Sequence, residues 1–68
     1  MGDEAELGLM AQCFAEEFAH MGYSREAVLA VFQNPFYRGP HQAYTRFGED
    51  WVRHLIARVR EEADRVGT

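Results

Sequence analysis

Three interruptions, at Gly22, at Asn34-Pro35 and at Gly48, divide this chain into segments whose apolar residues recur at helical spacing. No segment alternates apolar and polar residues over the length a half-buried strand needs. The core must therefore come from helices. Leu7, Met10, Phe14, Phe18 and Met21 are separated by three or four residues and form one stripe, which predicts a helix from Glu4 to Met21. Asp3 can cap it, with Glu6 three places on as in a capping box. Gly22 follows where a left-handed residue would end it.

Ser24 is a good cap for a second helix, and Glu26 falls in its first turn, where the helix dipole favours an anion. Tyr23 and Val28 hold the positions of a hydrophobic staple. Val28, Leu29, Val31 and Phe32 make this helix apolar over much of its circumference, so it belongs at the centre. Pro35 disfavours helical geometry at Asn34 and stops it there. Pro40 can open a short third helix as its first residue, and Gly48 breaks it. In the last segment Val52, Leu55, Ile56, Val59, Ala63 and Val66 fall within an arc of roughly 80° at 100° per residue. Trp51 lies at the margin of that face, and Gly67 marks the end.

The expected fold is all-α: a small orthogonal bundle of three to four helices, forming a single domain over residues 1–68. Its helices are expected at about 4–21, 24–34, 40–47 and 49–66. Leu7, Met10, Phe14, Phe18, Val28, Leu29, Phe32, Val52, Leu55, Ile56 and Val59 are the expected core.

A chain of 68 residues has room for one domain. It buries only about 60% of the surface that it exposes when unfolded. Little remains for a pocket and its supporting shell, so a non-catalytic role is expected. Seven arginines and no lysine face eleven acidic residues, a formal charge of −4. A net acidic chain is a poor fit for nucleic acid or an anionic membrane, whose affinity rests on a basic face. The charge is also divided unevenly. Residues 1–34 hold six acids and one base, residues 35–68 five acids and six bases. That asymmetry can steer subunits head to tail, acidic first helix against arginine-rich second half. No apolar run approaches the length of a membrane span. The opening Met1-Gly2-Asp3-Glu4 lacks a secretory layout, and Glu6 stands where myristoylation needs Ser or Thr. A cytoplasmic location is expected.

The segment from Phe36 to Trp51 is the most informative. Five of the nine aromatic residues fall there: Phe36, Tyr37, Tyr44, Phe47 and Trp51. Arg38, His41 and Arg46 are interleaved with them. Mixed arginine and aromatic side chains are enriched where proteins meet proteins. Phe36, Tyr37, Arg38, His41, Tyr44, Arg46 and Trp51 are therefore the candidate interaction residues. The competing expectation is that the rings pack inward as a satellite core.

Two chemical alternatives can be written. Cys13, Glu16 and His20 are spaced along one side of the first helix, and with His41 or His54 they offer thiolate, carboxylate and imidazole ligands to zinc. The lone Cys13 excludes an internal disulfide, and no other zinc pattern accompanies it. Asp50 and His54, one turn apart, form a possible acid–imidazole pair that with Cys13 would make a nucleophilic set. No phosphate-binding glycine loop and no nucleophile elbow is present. A minimal enzyme or ligand-binding subunit would centre on His41, Tyr44 or His54.

Met21-Gly22-Tyr23 followed by a capped helix resembles the first loop of ubiquitin-associated domains, which are three-helix modules. The resemblance covers that turn and its flanks. It implies a tight, tyrosine-pinned crossing of the first two helices and is not extended to ubiquitin binding, because the 35–48 segment is longer than that family's second connection. The leading expectation is a non-catalytic interaction module, either a homo-oligomer or an accessory subunit that binds a protein partner. Metal binding is the first alternative and a minimal enzyme the second. No cofactor is expected.

Overall fold

A computed structural model describes residues 3–66, and for Asp3 and Val66 the backbone alone. The expected Asp3 cap, the Val66 contact and the Gly67 position lie outside the described residues. Four helices follow in order: α1 (Asp3–His20), α2 (Arg25–Gln33), α3 (Arg38–Phe47) and α4 (Glu49–Val66). No strand occurs among the described residues. The chain is a small all-α bundle in which every pair of helices touches.

The α1–α2 turn is built by Gly22, whose φ of 91° suits a residue without a Cβ. The Tyr23 amide donates to the Phe18 carbonyl and the Gly22 amide to the Ala19 carbonyl, each at 3.0 Å. This nested pair satisfies carbonyls that a helix end leaves open. The Tyr23 ring lies on Phe18 with centroids 4.9 Å apart, the apolar contact that accompanies such an ending. Ser24 Oγ accepts from the Ala27 amide at 3.1 Å and caps α2. Met21, expected on the apolar stripe of the first helix, is instead past its end and 61% exposed, because the chain has already turned.

α3 begins at Arg38, two residues ahead of Pro40, which is therefore its third residue and not its first. Proline is tolerated there because the first amides of a helix have no intrahelical acceptor. Gly48 both ends α3 and starts α4. Its amide donates to the Tyr44 carbonyl at 2.9 Å, and its carbonyl accepts from the Val52 amide at 3.2 Å. One residue thus serves two helices, at φ 97° and ψ 164°, a region open essentially to glycine alone.

The core is centred on α2 and α4: Val28, Leu29 and Phe32 pack with Val52, Leu55, Ile56 and Val59, while Val31 is buried outside this cluster. Ala43 joins them from α3. α1 meets the expectation in part. Its fully enclosed residues are Ala11 and Ala15, while Leu7, Phe14 and Phe18 pack against the core half-buried and Met10 is also only half-buried. The alanines let α1 approach closely, and the larger side chains lie together along one side of them. Gly39 of α3 sits in that flank, where a Cβ would lie 3.3 Å from Met10 Sδ and Phe14 Cε2.

Candidate interaction surface

The candidate surface starts from the way α2 stops. Asn34 donates its amide to the Val31 carbonyl at 3.2 Å, and its own carbonyl accepts from the Tyr37 amide at 3.0 Å. Its Oδ1 accepts from the Phe36 amide at 3.0 Å. Residues 34–37 therefore form a hydrogen-bonded turn reinforced by the Asn34 side chain, with Pro35 at the position where its fixed φ is favoured. Phe36 occupies the tip and is 82% exposed. Tyr37, the capping residue of α3, is 39% exposed and meets Phe36 edge to face at 5.4 Å. Arg38 follows, exposed and without an ion pair among the described residues.

The other candidates are drawn into the bundle. His41 Nδ1 lies 3.2 Å from the Phe32 carbonyl, which can only accept, so the ring presents an Nδ1–H there and closes one open carbonyl of α2. Its ring stacks near Tyr44 at 6.1 Å. The Tyr44 hydroxyl accepts from Gln33 Nε2 at 3.4 Å and donates to Glu49 Oε1 at 3.3 Å, joining α2, α3 and α4. Arg53 Nε donates to Glu49 Oε2 at 2.7 Å. This bond and the Arg53 charge hold the Glu49 carboxyl below the ordinary carboxylate range, with a smaller pull from Tyr44. Arg46 pairs with Glu4 of α1. Trp51 meets Phe47 in a tilted ring contact with centroids 4.3 Å apart and passes over Gly8. The ring-rich segment thus divides: Tyr44, Phe47 and Trp51 pack against the core, whereas Phe36 and Tyr37 face solvent.

The alternatives receive less from the geometry. Cys13, His20 and His54 are exposed. Among the described residues no three His, Cys, Asp or Glu side chains gather as a metal ion requires. His54 Nδ1 reaches the backbone carbonyl of Asp50 at 2.8 Å, so the expected imidazole–carboxylate pair is replaced by a bond to the peptide. An open cleft of about 510 Å³ runs beside Glu16, His20, Arg60 and Asp64. A second, of about 470 Å³, lies beside Arg25, Gln33 and Arg53. Neither includes His41, Tyr44 or His54.

Sequence reasoning missed the exposure of Leu9, which is 65% accessible. Counting 100° per residue from the buried Ala11 puts Leu9 on the far side of α1, the side it shares with Cys13 and His20. No described helix is long and apolar enough to cross a membrane. The chain matches no family model, no curated protein and no solved structure.

Proposed function

We propose that this chain is a non-catalytic, cytoplasmic protein-interaction module that docks through the turn carrying Phe36, Tyr37 and Arg38. One observation carries the reading: Phe36, the most exposed large apolar side chain among the described residues, stands on a turn held by hydrogen bonds rather than on a loose loop. A ring presented in a fixed conformation loses little entropy on binding, and aromatic and arginine side chains supply much of the energy of protein contacts. The neighbouring Arg38 adds a planar cation with no ion pair among the described residues.

The test separates docking from packing. Tyr37→Ala with Arg38→Ala, and separately Phe36→Ala, should weaken partner binding or self-association about tenfold or more. The thermal midpoint should move little, since these side chains are exposed. Phe32→Ala is the contrast, because that ring is fully buried and its loss costs about 3–5 kcal/mol. Chromatography with light scattering, on the pure protein and on protein added to cell extract, reads the binding. A strictly monomeric chain that retains no partner would overturn the proposal.

A further inference from the structure

We infer that the partner of this turn is a second copy of the same chain, in a two-fold contact that sets Phe36 and Arg38 of each copy on the outer face of α1 of the other. This rests on the reading above that residues 36–38 are a docking surface. The outer face of α1 has the complementary character. At 100° per residue, Leu9, Cys13 and His20 fall opposite the buried Ala11 and Ala15, with Glu6 and Glu17 beside them. Leu9 is 65% exposed. Glu6 and Glu17 are exposed and make no ion pair among the described residues. One surface thus offers an apolar side chain flanked by carboxylates, the other an apolar ring followed by a free guanidinium. The uneven division of charge along the chain has the same sense, with six acids and one base in residues 1–34.

The two surfaces are neighbours on one molecule. Gly39, directly after Arg38, rests on Met10 and Phe14, and these directly follow Leu9 and Cys13 in α1. Adjacent complementary patches suit a closed two-fold dimer, where a contact from patch one to patch two is repeated from patch two to patch one. A head-to-tail contact between separated patches would instead build a ring or an open chain. The contact is small, so its dissociation constant belongs in the range of roughly micromolar to millimolar.

Sedimentation equilibrium of the full chain from about 10 μM to 1 mM, a range matched to that affinity, tests this. The mass should rise from 7.8 kDa toward that of a dimer. Phe36→Ser, Leu9→Ser and Arg38→Glu should each weaken association about tenfold or more. Raising salt from about 0.05 to 0.5 M should weaken it as well. Combining Arg38→Glu with Glu6→Arg and Glu17→Arg should restore most of the association, a recovery that a merely structural role would not produce. Thermal unfolding of each variant confirms that it is folded. A monomer at about 1 mM overturns the inference, as does a dimer indifferent to Phe36, Leu9 and Arg38. If the chain stays monomeric but holds a different protein from cell extract, and Phe36→Ser abolishes that, the second copy is the wrong partner while the docking surface stands. If Phe36→Ser alters neither kind of binding, both readings fall.

Discussion

Phe32 and Phe36 are separated by one helical turn in sequence, yet the first is fully enclosed and the second is 82% exposed. An unbroken helix would set both on one face. Pro35 prevents this: α2 ends at Gln33, and Asn34 takes the Phe36 amide into a turn aimed at solvent. Glu49 also takes its character from its contacts. Its carboxyl is held below its ordinary value chiefly by the hydrogen bond from Arg53. A carboxylate lowered in this way stabilises the fold above its unfolded pKa, and that contribution disappears as pH falls through the folded value. Urea unfolding of the wild type and Glu49→Gln at successive pH values should show a small gap above about pH 5 that closes on acidification. The gap is small because the group is exposed to solvent screening.

At the level of elements, the turns were more readable in the sequence than the packing faces. Gly22, Ser24, Asn34-Pro35 and Gly48 act where turn chemistry requires, because left-handed backbone, side-chain caps and proline are local effects. Gly48 gives the sharpest test. A Cβ there would meet nothing within 4 Å, so Gly48→Ala should act through the backbone alone. The expected loss is about 1–3 kcal/mol, seen as a lower urea midpoint. The centre of the face that α1 buries is less legible, for the opposite reason. Phe14 and Phe18 dominate its pattern, but Ala11 and Ala15 occupy the buried centre, since closeness to the other helices favours small side chains over large ones. The candidate site shows the same division. Five rings between Phe36 and Trp51 were recognisable as an excess, while the split into two outward and three inward rings depends on helices distant in sequence.

For the whole molecule, 4798 Å² remains exposed. The extended chain would expose roughly 11,000 Å². A bundle that buries so small an area has a thin stability margin, so any ligand of the folded state shifts its unfolding measurably. If the chain pairs as proposed, the thermal midpoint should rise with protein concentration, and Phe36→Ser should remove that dependence. Differential scanning calorimetry at several concentrations checks this. The acidic first half and arginine-rich second half also meet within one molecule, since Arg46 pairs with Glu4, so part of the charge division is already satisfied internally. Arg38, Glu6 and Glu17 make no ion pair among the described residues.

Helical class, the places where the chain turns, and the concentration of rings in its middle follow from near neighbours along the polypeptide. They depend on dihedral preference, capping and spacing, which act over a few residues. Which side of α1 is enclosed, which rings are covered and which arginines keep a free charge follow from how four helices share one small interior. Those outcomes are set by volume and by contacts between distant segments: Leu9 and Phe36 are exposed because the packing of four helices, with α3 lying against α1, leaves them outside.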